Sequence, residues 1–166
     1  AASYGRLAYQ TSYMKANFGA IYMSSVLTAD SGDVERIGET ITECKRMGIV
    51  VMPPDVNFSG IGFTIENLDT LSAKELERNI SKAKDSAQTQ GIRFGLSAIK
   101  NVGISAIESI LKARTKKPFF SISDICSRVD TRLVNRKTLE SLIKAGALDS
   151  FGTRAALLLG LDEVLD

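Results

Sequence analysis

The chain of 166 residues contains no histidine and only two cysteines. Without histidine, it lacks the side chain that most often acts as a general base and as a metal ligand. Cys44 and Cys126 lie far apart in the sequence and do not have the short spacing of a metal-binding pair. We therefore expect two reduced, buried thiols of a cytosolic protein.

The sequence also lacks an apolar run long enough to cross a membrane, and it shows no secretory leader. We therefore expect no membrane partner and a location in the cytoplasm. Apolar residues make up 44% of the chain, which is enough for one large or two small folded domains. The chain starts without methionine inside a predicted helix and ends inside another, so we expect a piece of a longer polypeptide.

A helix-hairpin-helix pattern occupies residues 92–114 and is the most informative part of the sequence. It predicts a strand, a short helix, a tight hairpin that ends at Gly103, and a second helix that begins there. The apolar residues that share one face of the second helix are Ile104, Ile107, Ile110 and Leu111. A helix that starts directly at a hairpin turns its first amides outward.

The start of this second helix is a predicted phosphate-binding site. The first amides of a helix have no acceptor within it and carry the positive end of its dipole. Beside Lys100, they can hold a phosphate of the nucleic-acid backbone without contacting a base. The usual hairpin has Gly-x-Gly, and Asn101 stands at its first position, where asparagine tolerates a left-handed backbone. The alternative interpretation is a packing corner between two helices that binds nothing.

A second, shorter copy of the hairpin follows at an offset of 49 residues, at 147–155 against 98–106. Ala98, Gly103 and Ala106 recur there as identical residues. Thr153 can cap the helix that follows. Asp149 stands where the first copy has Lys100, and an acid at that position repels phosphate. The second hairpin is therefore predicted to be a structural partner of the first.

Basic residues are concentrated around the first hairpin. Residues 1–66 carry five basic and seven acidic residues, whereas residues 91–144 carry 11 basic and four acidic residues, a net charge of +7. The basic residues of that stretch are Arg93, Lys100, Lys112, Arg114, Lys116, Lys117, Arg128, Arg132, Arg136, Lys137 and Lys144. Such a cluster indicates a nucleic-acid backbone as partner. Ordinary solvated helix surface is the alternative interpretation.

Periodicity predicts a mainly α fold with a small β element. The predicted helices span 3–17, 20–28, 33–47, a stretch that begins at the capping box of Ser72, 124–129, and 135–144. Gly48 and Gly146 are predicted to end the helices 33–47 and 135–144. The predicted strands span 49–52, 62–65 and 92–94. The C-terminal part is thus expected to be a helical tandem of hairpins.

Four motifs resemble a known family and occur in that family's order. They are the segments 8–15, 47–57, 92–100 and 134–149. The chain resembles the alpha subunits of bacterial DNA polymerase III, the C-family replicative DNA polymerases. The resemblance implies three parts: the C-terminal end of a fingers-like helical region with short strands at 1–66, a polar helical connector at 67–90, and a tandem helix-hairpin-helix DNA-binding domain at 91–166.

The resemblance also implies what the chain does and does not contain. The longer protein is expected to be a bacterial, cytoplasmic enzyme that extends a primer with nucleoside triphosphates, using magnesium held by palm carboxylates upstream of this chain. We therefore expect this chain to be inactive alone and to hold no cofactor. The acid pairs Glu75/Glu77 and Asp162/Glu163 are interpreted as surface charge. Expected partners are the backbone of primer–template duplex DNA, the other polymerase domains, and a sliding clamp bound through segments outside this chain.

Residues in two regions are assigned candidate roles. The predicted DNA-binding residues are Lys100, Asn101, Val102, Gly103, Ile104, Lys112, Arg114, Lys116, Lys117, Arg132, Arg136 and Lys137. In the fingers-like region, Tyr9, Gln10 and Lys15 are candidates for proximity to nucleotide or template, although core packing is the preferred interpretation for Tyr9.

Two other classes of protein remain open at this point. A DNA-repair or recombination module would use the same hairpins but has no reason to carry the motif at 47–57. A protein-interaction scaffold would use its basic surface to dock an acidic partner and would not bind nucleic acid. Salt-dependent DNA binding that a hairpin mutation abolishes separates the scaffold from the DNA-binding classes.

Overall fold

A computed structural model describes residues 2–71 and 89–165. These residues form seven helices and a three-stranded sheet, which confirms the predicted fold class. The helices are α1 (Ala2–Asn17), α2 (Gly19–Ala29), α3 (Val34–Arg46), α4 (Ile104–Arg114), α5 (Ile122–Arg128), α6 (Arg136–Ala145) and α7 (Arg154–Leu165). The strands are β1 (Val50–Met52), β2 (Thr64–Asn67) and β3 (Gln90–Arg93). Within the described ranges, no helix is both long and apolar enough to span a bilayer.

The described residues divide into two compact units. The first comprises residues 2–52, 63–71 and 89–92, and the second comprises residues 53–62 and 93–165. Residues 53–62 thus pack with the C-terminal helices, whereas the sequence placed them with the N-terminal part. The helix predicted from Ser72 and the acids Glu75 and Glu77 lie outside the described residues.

The first unit combines α1 to α3 with the sheet. The N-terminus of α3 is capped by Asp33, whose carboxylate accepts the amides of Glu35 and Arg36 at 3.1 and 3.2 Å. The helix buries Ile37 and Cys44, and the left-handed Gly48 (φ +74°) follows its end, as the sequence predicted. In the sheet, β3 lies between β1 and β2.

Gly91 permits the close packing of the central strand. A Cβ atom at this position would lie 2.8 Å from Leu68 Cδ2 and 3.2 Å from both Met52 Cε and the carbonyl oxygen of Val50. Because a real Cβ atom hardly ever approaches another heavy atom so closely, glycine is required where β3 meets its neighbours.

Helix α1 is more exposed than the sequence indicated. All of its residues from 3 to 14 are exposed, and the preferred interpretation of Tyr9 as a core residue was wrong, because its side chain is 69% exposed. Its ring stacks with that of Tyr13 at a centroid distance of 6.3 Å. No described residue covers this part of the helix.

The second unit is built around the four helices α4 to α7. Its apolar core includes the fully buried residues Val56, Leu96, Ile107, Ile110, Ile125, Leu139, Leu142, Ile143, Ala147 and Leu148. Apart from Val56 and Ile125, these residues come from α4, α6 and the two hairpins. The core therefore fixes the two hairpins within one unit. The prediction that Ile104 shares the buried face of α4 was wrong, because its side chain lies in the first turn and is 60% exposed.

Residues 53–62 are held in this unit by polar contacts as well as by Val56. The Asn57 side chain donates to the carbonyl of Phe119 at 2.9 Å and accepts the amide of Phe119 at 2.8 Å. Arg114 Nη1 donates to the carbonyls of Val56 and Ser59 at 2.9 and 2.7 Å. These bonds explain why the segment belongs to the second unit.

Candidate nucleic-acid interface

The first hairpin is a compact turn in front of α4. Residues 96–98 form a single 3₁₀ turn where the sequence predicted a short helix, and the amide of Val102 then donates to the carbonyl of Ile99 at 3.2 Å. Since this amide is occupied and the side chain is buried, the structure does not support Val102 as a DNA-binding residue. Asn101 has φ +64°, and it is the one described non-glycine residue with a positive φ. Its left-handed backbone turns the chain into Gly103, as the sequence predicted.

The N-terminus of α4 has no side-chain cap. Gly103 is its N-cap residue with an extended backbone (φ −76°, ψ 154°), and its carbonyl accepts the amide of Ile107 at 3.1 Å. Within the described parts of the chain, the amides of Ile104, Ser105 and Ala106 have no hydrogen-bond acceptor. A Cβ atom added to Gly103 would meet nothing within 4 Å, so the space in front of these amides is open.

The start of α6 lies against this hairpin. Thr138 Oγ1 donates to the carbonyl of Asn101 at 3.4 Å. Two predicted DNA-binding residues, Arg136 and Lys137, are therefore near the hairpin, and Arg136 also pairs with Glu140 at 3.0 Å. Lys137 and Lys100 are exposed. The geometry thus brings together open amides and several cations, although these residues are not adjacent in sequence.

The second hairpin satisfies its own polar groups. Thr153 Oγ1 accepts the amide of Ala156 at 3.3 Å, as the sequence predicted. Asp149 accepts two hydrogen bonds from Arg154, at 2.9 and 2.8 Å, and these raise the pKa of the Arg154 guanidinium. The carbonyl of Ala147 accepts the amide of Val56 at 2.9 Å. These contacts tie the second hairpin to its own unit, as expected for a structural partner of the first hairpin.

Arg114 lies inside the second unit rather than on its surface. Burial lowers the pKa of its guanidinium, while the charge of Asp55 acts in the opposite direction. Its Nη1 atom is occupied by the carbonyls of Val56 and Ser59. The charge of Arg114 therefore has a structural explanation, and this residue is not a candidate for contact with a phosphate.

The remaining predicted cations are exposed, and three of them lie at the end of α4 opposite the hairpin amides. Lys112 is eight residues beyond Ile104, which corresponds to about 12 Å along the axis of α4, and Lys116 and Lys117 follow the end of this helix. Arg132 is exposed, and its amide donates to Asp130 Oδ1 at 2.9 Å. The three lysines are therefore separated from the hairpin amides by the length of α4.

The candidates of the first unit lie on α1. Tyr9 and Gln10 are exposed. Lys15 Nζ lies 2.8 Å from Glu43 Oε1, and this hydrogen bond together with the lysine charge lowers the pKa of the Glu43 carboxyl. Their proximity to nucleotide or template stays a prediction.

Sequence reasoning missed three residues that organise the interface. Thr138 supports the hairpin turn, Asn57 joins two distant segments, and Arg128 holds the connector after α4. Thr138 carried a local signal, because it stands three residues after Asn135, the N-cap residue whose side chain accepts its amide at 3.0 Å. The other two bonds depend on tertiary structure and have no local sequence signature.

The described residues do not fit the magnesium site that the resemblance implies for the longer protein. In the ranges 2–71 and 89–165, no three His, Cys, Asp or Glu side chains converge in a way that could hold a metal ion. Glu163 is exposed.

Comparisons with known proteins support the interpretation of the hairpins. A family model described as "Helix-hairpin-helix motif" matches residues 48–157. The chain is 39% identical over 166 residues to the DNA polymerase III subunit alpha of Thermus aquaticus, covering 99% of this chain and 12% of that protein. It is 38% identical over 167 residues to the same subunit of Bacillus subtilis, covering 100% of this chain and 13% of that protein.

A third relative, the DNA polymerase III subunit alpha of Mycobacterium tuberculosis, is 37% identical over 168 residues, covering 100% of this chain and 12% of that protein. The predicted resemblance is thus confirmed along the whole chain, which spans only about an eighth of the length of these relatives. Since the matched family model covers more than half of its residues, the chain belongs to the helix-hairpin-helix family.

Proposed function

We propose that this chain holds the backbone of duplex DNA at its first hairpin, independently of base sequence, as part of a bacterial replicative polymerase. One observation carries the proposal: the open, uncapped N-terminus of α4 behind the left-handed turn at Asn101. The relatives' names support the polymerase context.

The chemistry of the proposed site follows from the hairpin geometry. The amides of Ile104 and Ser105 donate to one phosphate, and the positive end of the α4 dipole stabilises its charge. Lys100 and Lys137 add positive charge beside it. Because these amides donate to phosphate oxygens and not to bases, binding is independent of base sequence. The logarithm of the association constant falls with the logarithm of the salt concentration, with a slope of about −0.9 for each phosphate neutralised.

The wider role rests on the same relatives and belongs to the proposal. We propose that the longer protein synthesises DNA in the bacterial cytoplasm, with magnesium held by palm carboxylates in other segments, and that its other domains and a sliding clamp act beside this chain. The isolated chain is expected not to incorporate nucleotides. Avidity with the other domains raises the effective concentration of DNA at this hairpin in the longer protein.

The test is a fluorescence anisotropy titration of a labelled primer–template duplex across a salt series. The variants are Lys100→Glu, which reverses a charge, and Gly103→Val, which fills the space in front of the amides. Gly103 has an ordinary negative φ and open surroundings, so valine fits the fold. Lys45→Glu on the exposed surface of α3 is the control with the same change of charge.

We expect salt-dependent binding that both hairpin variants abolish and that the control retains, with circular dichroism confirming that each variant is folded. Equal weakening by Lys100→Glu and Lys45→Glu would show that only net charge matters. Binding that prefers one duplex sequence at physiological salt would contradict contact through the backbone.

A further inference from the structure

A second exposed surface lies at the opposite end of α4, about 12 Å or more from the hairpin amides. We name it the α4–α5 patch, and it consists of Lys112, Lys116, Lys117 and Phe120. All four residues are exposed, and the Phe120 side chain is 63% exposed. Lys117 Nζ lies 4.8 Å from the centroid of the Phe120 ring. The patch therefore combines three cations with an aromatic ring on the surface.

A groove of about 400 Å³ is lined by two residues of the patch, Lys112 and Lys116. Its lining also includes Arg128 and Asp130. Three acids lie near the patch: Asp124 pairs with Arg128 at 3.0 Å, Asp130 Oδ1 accepts the amide of Arg132, and Glu108 is exposed one turn before Lys112 on α4. The charged side chains that line the groove are three cations and Asp130. The groove therefore presents a net positive charge to an anionic chain.

Arg128 fixes the segment between α4 and α5, which carries Lys116, Lys117 and Phe120. Its guanidinium donates to the carbonyls of Ala113, at 2.7 Å, of Pro118, at 3.3 Å, and of Lys117. It also lies 4.7 Å from the ring centroid of the buried Phe119. Phe119 is buried, and Arg128 holds the carbonyls of Lys117 and Pro118 just before it, whereas the next residue, Phe120, is exposed. The position of the exposed ring is thus set by the fold.

We propose that the α4–α5 patch binds a single strand of nucleic acid. One base stacks on Phe120, and neighbouring phosphates contact Lys112, Lys116 and Lys117. A basic groove beside an exposed aromatic ring is the combination that binds single strands without sequence preference, because every base has a π face. A duplex keeps its bases stacked on one another and leaves the ring without a partner. An acidic peptide would use the lysines but not the stacking surface.

The proposal goes beyond duplex binding at the first hairpin and is tested separately. The probe is a labelled oligothymidylate of 12 nucleotides, titrated against the chain by anisotropy. Phe120→Ala is expected to weaken this binding roughly 5- to 100-fold, the range found for the loss of one base–aromatic stack. Gly103→Val is expected to leave it unchanged, whereas Phe120→Ala is expected to leave duplex binding unchanged. Phe58→Ala removes another exposed aromatic ring and is the matched control.

A second readout reports stacking directly. The chain contains no tryptophan, so Phe120→Trp introduces a single tryptophan. Its fluorescence is expected to be quenched by the oligothymidylate and not by hexaglutamate. The proposal would be overturned if the chain did not bind the oligothymidylate at low salt, or if Phe120→Ala bound it with unchanged affinity. It would also be overturned if Gly103→Val lost single-strand binding, or if Phe58→Ala lost as much affinity as Phe120→Ala. Hexaglutamate that binds as tightly and quenches equally would assign the patch to an acidic protein segment instead.

Discussion

At the scale of single residues, Asn101 and Cys44 show how environment decides what a side chain does. Asn101 adopts a left-handed backbone that the hairpin needs, at the position where the usual motif has glycine. Cys44 is completely buried in α3, and its thiol is inert for that reason. Each of the two residues yields a prediction about stability.

Replacement of Asn101 tests the turn. Asn101→Val forces a β-branched residue to φ +64°, and we expect a loss of about 1–2 kcal/mol in the free energy of unfolding. Asn101→Gly relieves the steric strain and is expected to stay within about 0.5 kcal/mol of the original chain. Urea denaturation of the three proteins measures both values. Equal stability of the valine and glycine variants would show that the turn does not require a left-handed residue.

The Cys44 thiol gives a dependence of stability on pH. Burial, and then the charge of Glu43, raises its pKa from 9.0 to about 11. Because the pKa is higher in the folded state, the contribution of the protonated thiol to the free energy of unfolding is fully present below about pH 9. This contribution is lost as the pH rises toward 11. Compared with Cys44→Ala, the original chain should therefore lose stability more steeply between pH 9 and 11. Parallel pH profiles of the two proteins in urea denaturation would contradict this expectation.

At the scale of elements, the bonds from α4 to residues 53–62 decide where that segment belongs. Arg114→Met leaves the buried carbonyls of Val56 and Ser59 without their donor, and we expect a loss of about 2–3 kcal/mol in the free energy of unfolding. Lys112→Met, two residues earlier on the exposed surface of the same helix, should change stability by no more than about 0.5 kcal/mol. Thermal and urea denaturation compare the two variants, and similar losses would assign the effect to helix charge instead.

The sequence predicted the elements well and their contacts poorly. Periodicity located α3, α4 and α6, because each buries one regular face, and the glycines at 48 and 146 ended two of them as expected. Local pattern also located the hairpin amides. The burial of Arg114 and the exposure of Tyr9 depend on residues far away in the chain, and no local rule encodes such contacts. For the same reason, charge counting could not separate the hairpin cations from the α4–α5 patch.

At the scale of the molecule, the second unit is discontinuous in sequence. A piece comprising residues 91–166 lacks Val56 in its core and leaves the backbone of Phe119 without Asn57. We expect such a piece to melt at a lower temperature than residues 48–166, which retain the segment 53–62. Differential scanning calorimetry of the two pieces gives the comparison. A piece 91–166 that melts at the same temperature or higher would show that the segment contributes nothing to this unit.

The pair of bonds between Asn57 and Phe119 also constrains the order of folding. The two residues are 62 positions apart, so their contact closes a long loop, and long-range contacts of this kind slow folding. During synthesis from the N-terminus, Asn57 leaves the ribosome well before Phe119. The second unit can therefore complete its fold only after Phe119 has been synthesised, when α4 has already emerged.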